Sequence, residues 1–297
     1  MTSGARGLFG VGLLAVGLVS AARVLEAGDA RYPETRQSQR LLYVRSGTTA
    51  RRLALSFQGL AADVYWMRTI QHFGGDLRSN RVDGRFELLA PLLDLTTSLD
   101  PHFNIAYRFG ALFLAIPSPS GAGRPDEAVA LLEKGLRASP DHWQYAYDIG
   151  FVYYLYVGDF KTAGTWFTRA AAMSHAPDWI RPLAAATVAQ GGDRANARRL
   201  FSDLAASDQP YLRNDAARGL AQIDALDAID QLQAMVETYH AAAGHYPTGW
   251  ADLIRTRQLP SLPVDGARVP FVYDASSHHV LLGPGSPLAP LPTALGR

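Results

Sequence analysis

The stretch Asp141–Ala176, DHWQYAYDIGFVYYLYVGDFKTAGTWFTRAAAMSHA, most constrains what the chain can fold into. Two helical patterns meet at Val157-Gly158-Asp159. Ala146, Ile149, Gly150 and Tyr153 fall along one face of the first, and Ala163, Phe167 and Ala170 along one face of the second. Spacings of three and four place side chains on a single helical stripe. The small residues Gly150 and Ala163 allow a close approach, and Tyr153 and Phe167 fill the space beside them. The result is a helix hairpin whose apolar face is wider than the hairpin can cover, so it calls for copies on either side.

The copies are in the sequence. Ala163/Phe167 recurs as Ala197/Phe201, and upstream the pattern is Ala128/Leu132 followed by Gly135, Leu136 and Pro140. A spacing of about 34 residues is the period of a tetratricopeptide array, and the chain resembles that family. The family's small residue falls at Gly110, Gly150 and Ala186, its second-helix alanine at Ala128, Ala163 and Ala197, and its closing proline at Pro101 and Pro140. The resemblance implies a mostly α fold: an α-solenoid of helix hairpins over 50–210. A plain α-helical bundle is the competing expectation, since alanine-rich hairpins are common.

Upstream, Leu8–Ala22 is uncharged and rich in Leu, Val and Gly, with Arg6 before it. Its length suits a signal-peptide core and is short for a spanning helix of about 20 residues. Val19-Ser20-Ala21 would serve as a cleavage site, whereas Val24-Leu25 would extend an uncleaved anchor. Residues 1–27 are therefore expected to be a signal anchor in the bacterial inner membrane, with the rest facing the periplasm. A cleaved signal peptide with a soluble periplasmic product is the alternative, and a buried first helix of a cytosolic protein the plainer one. Residues 28–49 are polar around Pro33 and read as a linker. Next, 50–73 predicts a helix with Leu55, Leu60, Ala62, Tyr65, Trp66 and Ile70 on its apolar face, ended by Gly74-Gly75. Phe86–Leu99 is the expected return helix, and 211–240 a capping helix or pair of helices closing the array.

From 241 to 297 the chain is rich in Pro and Gly. Tyr239, Gly244, Tyr246-Pro247, Leu253, Leu262-Pro263, Asp265, Pro270-Phe271, Tyr273 and Gly283 resemble the head of a bacterial type II secretion pseudopilin. That resemblance implies a small α+β module, with strands at Val269–Tyr273 and His279–Leu282 joined by a turn at Asp274–Ser277. In that family the membrane segment runs straight into the helix before the head, whereas here about 200 residues intervene, so assembly into a filament is not implied.

Chemistry is sparse. The chain has 297 residues, a formal net charge of +1 and no cysteine. A disulfide framework, a thiolate metal site and a thiol nucleophile are all impossible, and a nucleic-acid partner is not expected without a basic excess. Gly121-Ala122-Gly123-Arg124-Pro125 lacks the lysine of a phosphate-cradling loop, and Gly-x-Ser-x-Gly is absent. Asp63, Asp76, Asp83 and Glu87 could be read as paired carboxylates for glycoside hydrolysis, but a solvated surface is the simpler reading. His240, His245, His278 and His279 could hold a metal, which would make the chain an envelope enzyme or metal-binding protein. Adjacent His278 and His279 would face opposite sides of a strand. No catalytic residue, cofactor or metal is expected. The expected function is a non-enzymatic protein–protein scaffold of the cell envelope, serving a secretion, pilus or transport assembly. Its groove would lie on the first helices, with Tyr145, Asp148 and Val152 as candidates because they fall off the Ala146–Tyr153 stripe.

Overall fold

The computed structural model describes residues 46–79 and 84–292, together with Val19, Ser20 and Arg23. The expected signal anchor, most of the linker after it and Asp83 lie outside the described residues. The chain is mostly helical, with eleven α-helices and one two-stranded sheet among the described residues. It divides into two compact units, 1–106 and 107–297.

In the first unit, α1 (Gly47–Leu53) and α2 (Gln58–Arg78) pack on α3 (Leu89–Leu99). Ala50, Ala62, Tyr65, Leu92, Leu95 and Leu99 form one buried cluster. The buried hydroxyls of Thr69, Thr96 and Thr97 donate to the carbonyls of Tyr65, Leu92 and Leu93, each at 2.8 Å, so burying them costs little. Two expectations for α2 are corrected. It does not stop at Gly74-Gly75 but continues to Arg78. Its last turn is tied down from outside: the Asp76 carboxylate accepts the Phe86 N–H at 2.5 Å, and Arg85 Nη2 donates to the Asp76 carbonyl at 2.7 Å. External partners of this kind satisfy a helix end that glycine would otherwise terminate. Nor is its expected apolar face buried as a whole. Ala62 and Tyr65 are covered, but Leu55, Leu60 and Ile70 are exposed.

The second unit opens within α4 (Asn104–Ala115). It continues with α5 (Pro125–Ala138), α6 (Trp143–Val152), α7 (Phe160–Ala171), α8 (Ile180–Gln190), α9 (Arg194–Ala205) and α10 (Pro210–Ala243). From α5 onward each helix packs on the next in chain order. Pro125 sits in the first turn of α5 with Asp126 and Glu127, where a missing N–H is harmless and negative charge meets the positive helix end.

The turns repeat. Gly158 (φ 76°) and Gly192 (φ 89°) occupy the left-handed region, where a side chain would be strained. Asp159 and Asp193 follow them and accept the N–H groups of Thr162 and Asn196 at 3.0 and 3.1 Å, capping α7 and α9. The packing repeats as well. Gly110, Ala128, Gly150, Ala163, Phe167, Ala197 and Phe201 are all buried. A side-chain carbon on Gly150 would lie 2.7 Å from the Phe167 ring, and one on Gly219 would run into the Phe201 ring. Glycine therefore makes room for the aromatic of the helix packed beside it. Between α6 and α7 the residues Tyr153–Val157 form a π-helical turn, which the sequence pattern did not announce.

α10 is one helix of 34 residues rather than two. Leu212, Ala216 and Ile223 pack with Phe201 and Leu204 of α9. Farther along, Leu232 and Val236 pack with Leu253, Phe271 and Val280 of the C-terminal module. That module holds α11 (Trp250–Arg255) and the antiparallel pair β1 (Val272–Asp274) and β2 (His279–Leu281), with Tyr273 opposite Val280. The strands are shorter than expected: β2 starts at His279 as predicted, but β1 starts three residues after Val269 and takes in Asp274, which was expected in the turn. Gln233 of α10 reaches across, accepting the Val280 N–H and donating to the His278 carbonyl, both at 2.9 Å. Its amide supplies β2 with the pairing a further strand would give.

Candidate groove site

Helices α4 and α6 wall a cavity of about 320 Å³. Arg108, Phe109 and Leu112 come from α4, Leu132 from α5, Tyr147, Asp148, Phe151 and Val152 from α6, and Tyr156 from the π turn. The cavity exists because neighbouring helices diverge where their facing side chains differ in size. Nearer the start of α6, Gly135 of α5 lets Tyr107 and Tyr145 close the gap, their rings 5.3 Å apart. One turn on, Arg108 and Asp148 meet instead, and the space beyond them stays open.

Arg108 grips Asp148 as a fork. Nε donates to Oδ2 at 2.5 Å and Nη2 to Oδ1 at 3.1 Å, a strong charge-assisted geometry. The Asp148 side chain is only 16% exposed and that of Arg108 39%, so the carboxylate is the buried partner and the guanidinium the accessible one. Burial pushes the Asp148 carboxyl above its ordinary range, against the downward pull of Arg108. The bond to Asp148 raises Arg108 further. His142, whose ring is tilted against that of Tyr145, is held below the usual histidine range by burial and by Arg108. Arg108 Nη1 takes no part in the fork and is left for an acceptor brought by a ligand. Phe109 is 52% exposed on the rim, and Tyr147 meets both Phe151 and Trp179, so one aromatic ridge borders the opening.

The three groove candidates fare differently. Asp148 lines the cavity. Val152 lines it too, although it is otherwise buried. Tyr145 does not: it is 1% exposed and packs between Tyr107 and His142. Its position off the Ala146–Tyr153 stripe turned it toward α5, where Gly135 leaves room for a ring. Arg108, Phe109 and Leu112 were not singled out by sequence reasoning. The available signal was their spacing of one and four on α4, the helix corresponding to α6 one hairpin earlier.

The other candidate constellations do not assemble. His240, Tyr246 and His278 form a continuous stack, with both ring pairs 3.9 Å apart and nearly parallel. Faces converge there, not ring nitrogens. His278 Nδ1 is 3.2 Å from the Tyr273 hydroxyl and His245 Nδ1 is 3.0 Å from the Tyr246 carbonyl. Among the described residues no three His, Cys, Asp or Glu side chains are placed to hold a metal ion. Of the acidic group near α2, Asp76 serves the helix end. Asp265, one of the head-like features, is a turn organiser: Oδ1 accepts the N–H groups of Ala267 and Val269, and Oδ2 accepts the Ser286 hydroxyl.

A cavity of this size sits at the lower end of ligand pockets. Its single carboxylate is already engaged by Arg108. Comparison of the chain with protein-family models, with curated proteins and with solved structures finds no match.

Proposed function

We propose that 107–243 is a tetratricopeptide-like α-solenoid and that the α4–α6 cavity seats a segment of a protein partner. On this reading the chain is a non-enzymatic scaffold of the bacterial cell envelope, tethered to the inner membrane through its first residues. The C-terminal module resembles a pseudopilin head, which favours service to a secretion, pilus or transport assembly. The repeated Gly-Asp turns and the helix-by-helix packing support the solenoid. The observation that carries the function is the apolar cavity with one accessible guanidinium at its wall. An apolar side chain fills the pocket, and a backbone carbonyl or carboxylate of the same segment meets Arg108 Nη1.

The test is photo-crosslinking in native membranes from an analogue placed at Phe109, with mass-spectrometric identification of what is attached. A discrete protein partner is expected, and it should be lost when Leu112→Glu and Phe151→Glu put charge into the pocket. A crosslinking pattern unchanged by those substitutions would remove the groove from the proposal.

A further inference from the structure

α2 is apolar on two opposite sides. Ala62, Tyr65 and Thr69 face α3 and are buried. Leu60, Val64 and Met67, spaced four and three, lie about half a turn away and are 63%, 44% and 59% exposed. The patch extends backward through the turn before the helix, where Leu53, Leu55 and Phe57 are 66–74% exposed. Leu55 adopts a left-handed conformation (φ 49°), unusual for a leucine. Scattered exposed apolar residues need no explanation, but a continuous patch of six large ones marks a surface that is covered by something. A helix apolar all round is ordinarily buried on all sides.

The charge around this face selects the cover. Residues 46–79 carry four arginines, Arg51, Arg52, Arg68 and Arg78, against two aspartates, Asp63 and Asp76, whereas the whole chain carries a net charge of only +1. Arg51 and Arg52 are exposed in the last turn of α1, next to Leu53. A second helix fits poorly: continuing the Leu60–Val64–Met67 spacing reaches Gln71 and Gly74, so an apolar seam would run less than two heptads. A basic segment bearing an exposed apolar face suits an anionic bilayer surface. Among the described residues no helix is long and apolar enough to cross a membrane, so α2 would lie on the surface and not span it.

We infer that the α1–α2 face, Leu53 to Met67, seats on an anionic lipid surface as a second membrane contact, with Arg51 and Arg52 at the headgroups. The inference shares the envelope placement proposed above but does not need the N-terminal run to insert. Leucine and methionine side chains enter the headgroup boundary, and the arginine stems reach back toward the phosphates.

The chain has no cysteine, so single cysteines can be labelled cleanly in the full chain. Leu60→Cys, Val64→Cys and Met67→Cys would each carry a fluorophore, with Ala130→Cys, exposed on α5, as the control. The protein is reconstituted into phosphatidylcholine vesicles with about 30% phosphatidylglycerol and doxyl-lipid quenchers. Quenching of about two-fold or more is expected at all three positions and none at Ala130→Cys. It should fall by about half in pure phosphatidylcholine or with Arg51→Glu/Arg52→Glu. Labels on α2 that stay as open to aqueous iodide as Ala130→Cys overturn the inference. So does lipid-independent shielding with Val64→Cys disulfide dimers, which would assign the face to a second copy. Leu14→Cys in the same vesicles separates the two membrane claims: quenching there but not at Met67→Cys leaves the tether and sinks this contact, and the reverse sinks the tether alone.

Discussion

The two ends of α10 hold their neighbours by different means. The contact with α9 is steric in its buried core, with Phe201 fitted into the space left by Gly219, and is flanked by ion pairs of Arg194 and Arg198 with Asp224, Asp227 and Asp230. Toward its end the contacts with the C-terminal module add a polar framework. Gln233 pins β2, Gln222 Nε2, nearer the middle of the helix, donates to the carbonyls of Leu288 and Pro290, and within the module Trp250 Nε1 donates to the Phe271 carbonyl. The hairpins are a packing problem solved by alternating small and large residues. The module has a small core and a short sheet, so directional bonds must fix its turns. The helical region should therefore be sensitive to volume, and the module to lost acceptors and to acid.

Removing bulk has the largest effect. Phe167 is 1% exposed and covers Gly150, so Phe167→Ala should cost about 3–5 kcal/mol. Urea unfolding followed by far-ultraviolet circular dichroism measures it. A loss under about 1 kcal/mol would mean that the hairpins are not held by this fit.

Next comes Asp265→Ala, which takes the acceptor from two backbone N–H groups and the Ser286 hydroxyl. A loss of about 2–3 kcal/mol is expected, confined to the module. Hydrogen exchange should quicken at 263–290 and stay unchanged at 143–171. Equal acceleration in both segments would erase the proposed difference between the two regions.

Acid produces the smallest effect. Burial pushes Asp265 up, but its bonds from Ser286, Val269 and Ala267 outweigh this and hold it below the ordinary range. Asp274, bonded by Ser276 and Ser277, is lowered to about 2. A depressed carboxyl stabilises above its unfolded value, about 3.9, and that contribution fades as pH falls through the folded value. In the helical region Asp148 is shifted upward and Asp159, bonded by Thr162, downward, so their protonation in acid acts in opposite directions there. Between about pH 4 and pH 2, amides of 263–281 should lose protection before those of α6. Simultaneous loss in exchange measured against pH would contradict the assignment.

How much of this was legible depends on whether the deciding partner was near in sequence. The turns at Gly158-Asp159 and Gly192-Asp193 announce themselves, because a left-handed glycine followed by a capping aspartate is a local device. The buried repeat residues were legible from period and size. Tyr145 was misplaced because its side is decided by Gly135 on another helix. The extension of α2 past Gly74-Gly75 was hidden because Asp76 finds its partners at Arg85 and Phe86. Gln233 carried no signal at all: a helix-surface glutamine looks the same whether it meets water or the edge of a strand. In the candidate site Asp148 was found, but its partner Arg108, 40 residues earlier, was not.

At about 1.5 Å per residue, the 34 residues of α10 make a rod of about 50 Å. α9 holds this rod between Leu212 and Asp230 and the module holds it between Arg218 and Val236, so the two share its middle turns and a shift of either neighbour is felt by the same residues.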